Sequence, residues 1–383
     1  MSNSPTVLVK GLAASTCCGV GSRAMFECLR RGTGATTADY RELRFPDIDV
    51  DISTYVRTTR TENEPARQLL AAIAIDLEAS LAAMTAPERC SMGLVLGNTS
   101  GNVDPYCGFY TKGVQEGHYR VNPTHLPVTL INYQAAAVNH ALGLMGPCTT
   151  LSSGFSAGLD AIGYAAMRLQ LGRERTILAG GVQELSRFDR AYLRGRELLS
   201  AVGRVRPFHA ARDGTVGAEA VGLLLLSAGD PDDASLARIT GWAWAAARDG
   251  DPVQRAAATL RAALSMADLD SGDIDLVFPS ANGTVEGDEQ EAQLLRRVFG
   301  DRLVSIRLCP VKSVVGECLT AAGPLQCAAA VHALNGGEVC AHPLGAWIEG
   351  DPLTPPESAP PDTALVYSLG LDGSCSAIVL HRS

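Results

Sequence analysis

Aromatic residues make up only 5% of the chain, and no run of 18 apolar residues occurs in it. The missing run excludes a membrane-spanning helix, which needs about 20 such residues. Positive charge is also scarce: 32 Lys and Arg stand against 41 Asp and Glu, for a net charge of −9. That balance argues against nucleic-acid or anionic-membrane partners, and it names no ligand. The opening MSNSPTVLVKGLAAS lacks the basic-then-apolar layout of a secretory signal. No C-x-x-C pair is present, and the 11 cysteines are odd in number and scattered. Free thiols in a reducing cytoplasm are therefore expected, in place of a disulfide framework or a zinc site. No motif calls for a metal or an organic cofactor.

What is there points to an α/β protein. Hydrophobic residues make up 46% of the chain and glycine fills 39 positions, which gives apolar segments broken by tight turns. The length exceeds what one core usually organises, so two units are expected, 1–230 and 235–383. Strands read at 6–12, 91–97, 148–152, 176–181 and 221–227, with helices at 23–31, 66–84, 131–142 and from 155. The stretch 98–122, rich in Gly, Asn and aromatics, reads as a long functional loop or lid. A similar order follows: strands at 237–247, 274–278, 303–308, 364–369 and 376–381, and helices at 253–267, 287–299 and up to 334. The polar 41–64 reads as irregular, and 351–361, with five prolines, as an extended connection. Strand–helix alternation means largely parallel sheets covered by helices. Two halves of like order, each closing on two adjacent strands, suggest a duplicated unit.

The segment 146–171, GPCTTLSSGFSAGLDAIGYAAMRLQL, organises the rest. It reads as a buried strand (148–152), a Ser153–Gly154 turn and a helix from about Phe155. Small residues occur all round that helix, so it has no polar face and is expected to be buried. Residue 155 then lies at a helix N-terminus, where unpaired N–H groups and the helix dipole favour an anion. Such a corner suits an activated nucleophile. The position carries Phe155, which cannot attack anything.

Other chemistry also fits the same place. Gly154-Phe155-Ser156-Ala157-Gly158 fits the G-x-S-x-G elbow of hydrolases, with Ser156 as nucleophile and His332 or His342 as its base. Further Gly-containing corners, NGT at 282–284, VKSVVGE at 311–317 and LGLDGS at 369–374, each follow or end an expected strand. All could converge on the rim above Phe155.

Taken in order, these segments resemble the β-ketoacyl synthases (ketosynthases) of the thiolase fold. GPCTTLSSGFSAGLDAI is similar to the segment that holds the family's nucleophilic cysteine. ILAGGVQE, RPFHAARDGTVGAEAVGLLLL, SANGTVEGDEQEA, PVKSVVGECLTAAG and LGLDGSCSAIVL match later motifs in the family's order. The resemblance implies a thiolase-like fold: duplicated βαβαβαββ halves in a layered α-β-α-β-α arrangement.

The departures carry the functional expectation. Active members are expected to place a Cys and two His where this chain has Phe155, Asn282 and Glu317; Lys312 is retained. The cysteine holds the acyl chain as a thioester, and the imidazoles assist decarboxylation and stabilise the enolate. Without the three, condensing activity is not expected. Cys148 and Cys318 are the candidates for a relocated nucleophile, but neither sits at an expected helix start beside an evident base.

A ketosynthase-like chain without its nucleophile resembles the chain-length factor, the KSβ subunit of type II polyketide synthases, and Gly158-Leu159-Asp160-Ala161 matches that group's motif. Its usual glutamine is replaced by Phe155, which favours a reducing, polyene-type system. The resemblance implies a heterodimer with an active ketosynthase α subunit and substrates carried on the phosphopantetheine of an acyl carrier protein. It also implies pairing through 148–152. Phe109, Tyr110, Ile131 and Tyr133, with Cys148 and Phe155, are then candidates for the acyl tunnel or the interface. A homodimeric acyl-binding protein is the other reading on the same fold.

Overall fold

Among the described residues eleven strands form one continuous sheet, ten of them in two halves that repeat each other and the short Gly19–Val20 strand pairing with the first alone. The structure, a computed structural model, describes residues 5–32, 42–53, 63–246, 250–350 and 360–383. The first half contains β1 (Thr6–Thr16), β2 (Gly93–Gly97), β3 (Cys148–Leu151), β4 (Thr176–Gln183) and β5 (Ala220–Gly229). Their spatial order is β3-β2-β4-β5-β1, with β3, β2 and β4 mutually parallel and β5 antiparallel to both of its neighbours. The second half contains β6 (Ala237–Ala246), β7 (Leu276–Phe278), β8 (Arg307–Leu308), β9 (Thr363–Leu369) and β10 (Ser374–His381). It runs β8-β7-β9-β10-β6 with the same parallel and antiparallel pattern. The halves meet where β1 and β6 pair antiparallel over Val7–Ile239, Leu8–Arg238 and Val9–Ala237. This is the duplicated α/β architecture expected of the thiolase fold.

Two helices fill the space between the layers. One is α1 (Ala157–Gln170), which buries Leu159, Ile162, Ala165, Ala166 and Leu169. The other is α2 (Ala322–Leu334), in which every residue but His332 is buried. Their composition, AGLDAIGYAAMRLQ and AGPLQCAAAVHAL, explains the placement: a helix apolar or small all round has no face to give to water. Small residues also set how closely the layers approach. A Cβ on Gly158 would sit 1.9 Å from the Thr320 carbonyl oxygen, so only glycine allows that contact.

Several expected elements differ. Residues 98–122 are not a long loop: a helix runs over Val103–Glu116, ending at Gly117 with φ 93°. Gly108 and Gly113 disguised it, each weakening a helix by about 1 kcal/mol, and none of its residues is buried. The helix expected at 66–84 is two, Glu64–Asp76 and Glu78–Ala82. At the break, the Asp76 carboxylate accepts from Ser22 N (2.7 Å) and Ala14 N (3.1 Å) and so caps the neighbouring helix Ser22–Arg31. The strand expected at 303–308 keeps only Arg307–Leu308, because Gly300–Val304 turns as a 3-10 helix. β3 is not a buried strand in this chain. It is the sheet edge, with Cys148 exposed and Thr149 to Leu151 half-buried. Residues 41 and 54–62 of the segment 41–64, and 351–359 of 351–361, lie outside the described residues. Among the described residues, no helix is long and apolar enough to cross a membrane.

Candidate functional site

The corner after β3 is built from backbone. Gly154 takes φ 100°, a conformation that favours glycine. The helix then starts at Ala157, not at residue 155, with Ser156 in the capping position. Phe155 is half-buried. Its ring lies 5.8 Å from that of Tyr192, centroid to centroid, and its backbone N–H donates to Asp372 Oδ2 at 3.1 Å. The same carboxylate accepts from Ser374 N (3.1 Å) and Ser374 Oγ (2.7 Å). Asp160, one turn into α1, accepts from the hydroxyls of Ser153, Ser156 and Ser376. Burial holds the Asp160 carboxyl above its usual range against those hydrogen bonds, helped slightly by the charge of Asp372.

A second group is buried and closed on itself. The turn after β7 places Asn282, whose Nδ2 donates to Glu317 Oε2 at 2.9 Å. The Asn282 Oδ1 accepts from Thr284 N and Thr284 Oγ1 at 3.2 and 2.8 Å. Lys312, on the short helix Lys312–Val315, donates to the same Glu317 oxygen at 2.8 Å and to Ser280 Oγ at 3.3 Å. The other Glu317 oxygen accepts from Leu319 N at 3.1 Å. Lys312 is 3% exposed and Glu317 2%, so this ion pair is out of water.

Beneath it lie two more carboxyls that sequence reasoning did not single out. Asp288 gathers the backbone N–H groups of Phe208, Asn282 and Gly283, and burial still pushes it up to about 6. Glu291 accepts from Ser280 N at 2.6 Å. Burial first, and then the charge of Asp288, push it up to about 8. A cleft of about 510 Å³ reaches this region and is lined by Tyr192, Leu371, Ser280, Asn282, Thr284 and Glu291 among others.

The three corners therefore join the chemistry in two sets. Asn282, Glu317 and Lys312 share hydrogen bonds, while the third corner meets Phe155 through Asp372. Asp372 was missed because only the glycines of LGLDGS were weighed. Its place between two strands, opposite a positive-φ glycine, was the available signal.

The alternative nucleophiles are not paired with a base among the described residues. The Ser156 side chain is buried and reaches Asp160. His332 stacks face to face on Phe26 at 4.0 Å, and the His342 ring packs against Trp347. The hydrolase triad is not assembled. Burial raises the Cys148 thiol. Burial and then the charge of Glu317 hold Cys318 well above the ordinary thiol value. Both effects oppose a thiolate.

The tunnel and interface candidates lie on the outside of this chain. Tyr110 and Ile131 are 47% and 42% exposed, and Phe109 and Tyr133 are half-buried. Tyr106, Phe109 and Tyr110 form one aromatic patch, with ring centroids 4.5 and 5.4 Å apart. Ile131 rests on Gly101, where an added Cβ would lie 2.8 Å from it. Of the seventeen large hydrophobic side chains exposed among the described residues, eight fall within 106–145. That is a concentration well beyond scattered surface apolar residues.

Comparison with known proteins agrees with this layout. Residues 5–230 match the model of the β-ketoacyl synthase N-terminal domain, and 236–343 match that of the C-terminal domain. The tetracenomycin polyketide synthase ketoacyl synthase alpha subunit of Streptomyces glaucescens is 27% identical, covering 98% of this chain and 97% of that protein. A β-ketoacyl synthase from Burkholderia phymatum superposes with a TM-score of 0.85 at 23% identity, over 99% of this chain and 100% of the other. A ketosynthase (ApeO) in complex with its chain length factor (ApeC) from Xenorhabdus doucetiae gives 0.80 at 17% identity, over 100% and 99%. At those identities the two structures establish the fold; the matched domain models span most of the sequence. The chain belongs to the β-ketoacyl synthase family.

Proposed function

We propose that this chain is a catalytically degenerate, chain-length-factor-like subunit. It pairs with an active ketosynthase and shapes the tunnel in which that partner's acyl chain grows, in type II polyketide or related polyene synthesis. One observation carries the reading: Phe155 stands at the nucleophile position while Asn282, Glu317 and Lys312 satisfy one another inside the protein. Phenylalanine forms no thioester. Asparagine takes up no proton near neutral pH, and Glu317 brings negative charge where an enolate would need the opposite.

The surface supports a partner. The apolar region 106–145 flanks the unpaired edge of β3, where Cys148 is exposed. A bare strand edge beside exposed aromatics is a pairing surface that a lone chain is selected to avoid. On this reading the partner is a ketosynthase that carries its cysteine. Phe109, Tyr110, Ile131 and Tyr133 lie at the junction, and substrates arrive on an acyl carrier protein in the cytoplasm. The N-terminal half is taken as 1–230 and the C-terminal half as 235–383.

Co-expression with a ketosynthase encoded beside it tests the reading. The expected result is a one-to-one heterodimer whose elongation of carrier-protein thioesters depends on the partner's cysteine. Elongation by the purified chain alone, or a chain that returns only itself whatever ketosynthase is present, overturns it.

A further inference from the structure

Replacing the nucleophile is not the only change at the corner before α1. We propose that Asp372 is a built-in carboxylate acceptor at the corner before α1, occupying the Phe155 N–H that would otherwise be free to stabilise a thiolate or a polarised carbonyl. This goes beyond the subunit reading, because it concerns the isolated chain and needs no partner.

A preorganised backbone donor aimed at a developing oxyanion or thiolate is what such a corner offers chemistry, and the Phe155 N–H stands just ahead of the helix that starts at Ala157. Here the Phe155 N–H is already engaged by Asp372 Oδ2 at 3.1 Å. The carboxylate is held from behind by Ser374 N and Oγ. It is wedged between two stretches of bare backbone: a Cβ on Gly154 would lie 2.0 Å from Oδ2, and one on Gly370 2.2 Å from Oδ1. Both glycines are needed to admit it. Asp160 next to it is committed to Ser153, Ser156 and Ser376, so the corner holds two carboxylates and no cation among these contacts. A thiol restored at 155 would meet a negative charge instead of a free donor. Asp372 itself is exposed, so solvent moderates its field and the expected effect is several-fold.

The test is the reactivity of a reporter thiol. Phe155→Cys, Phe155→Cys/Asp372→Asn and Phe155→Cys/Asp372→Gly are treated with iodoacetamide at pH 7, and alkylation of residue 155 is followed by peptide mass spectrometry. Circular dichroism checks that each variant is folded. The single variant is expected to react slowly, and both double variants about threefold faster or more. The pH midpoint of their alkylation should move down by about half a unit or more. Asp372→Asn keeps the side chain's shape and reads the charge even if Asp372→Gly loosens the loop. A single variant that reacts within twofold of both doubles, with the same midpoint, overturns the proposal. Because no ketosynthase is present, that failure is separate from any failure of the heterodimer.

Discussion

Glu317 and Lys312 form a buried ion pair, and stability measures its weight in the fold. Lys312 Nζ and Glu317 Oε2 are 2.8 Å apart, with 3% and 2% exposure. Removing one member of such a pair strands the other as a buried charge, at a cost of about 3–5 kcal/mol. Unfolding entropy near 2.1 cal/mol/K per residue gives about 0.8 kcal/mol/K for a chain of this length. Lys312→Met or Glu317→Leu should therefore lower Tm by about 4–6 °C. The double variant removes both charges together. It still leaves the Asn282 Nδ2 and Leu319 N–H donors without their acceptor, a loss of about 1–3 kcal/mol. It should thus be no less stable than either single variant, and the double-mutant cycle should close with a coupling of about 2 kcal/mol or more. Thermal unfolding followed by the fluorescence of Trp242, Trp244 and Trp347 reads all four proteins. Single variants each within about 1 kcal/mol of the parent, with additive effects, would refute the buried-pair argument.

Stability should also depend on pH through Glu291. Its native carboxyl is pushed up to about 8 from 4.5, so the unfolded chain gives up that proton first. The stabilisation is complete below about pH 4.5 and is lost as pH rises toward 8, a change on the order of 5 kcal/mol. Glu291→Gln should flatten that slope in denaturant titrations between pH 5 and 8, and an unchanged slope would assign it elsewhere. At the surface, Cys148 should react with a maleimide in the isolated chain and be protected at least tenfold in the heterodimer. Equal labelling in both states would remove β3 from the interface.

The strands and the two central helices were legible because burial writes itself as composition. VGLLLLS lies within β5, and the residues of α2 are small or apolar on every side. The helix Val103–Glu116 was not legible for the converse reason. None of its residues is buried, so there is no buried stripe to set a 3.6-residue period, and its glycines read as loop. The same cause explains β3, whose residues look like a core strand while standing at an edge. Phe155, Asn282, Glu317 and Lys312 could be named from motif positions alone, but their partners could not. The Glu317–Lys312 pair closes over five residues, yet the bond to Asn282 spans 35 and that from Phe155 to Asp372 spans 217. No local pattern encodes contacts at that separation.

On the proposed reading, the pairing of those groups bears on how a site persists without chemistry. A working site keeps polar groups underused in the ground state so that they act in the transition state, and those groups cost stability while they wait. In this chain the main candidates are already engaged: Lys312 by Glu317 and Ser280, Asn282 by Glu317 and Thr284, and the Phe155 N–H by Asp372. On that reading, loss of the nucleophile alone would have left the Lys312 cation and the Phe155 N–H without their acceptors. The acidic residues at 317 and 372 supply both from within, on two different loops. Restoring Cys at 155 therefore meets two further obstacles, each with its own charge, and condensation should return only in variants that also remove the carboxylates at 317 and 372.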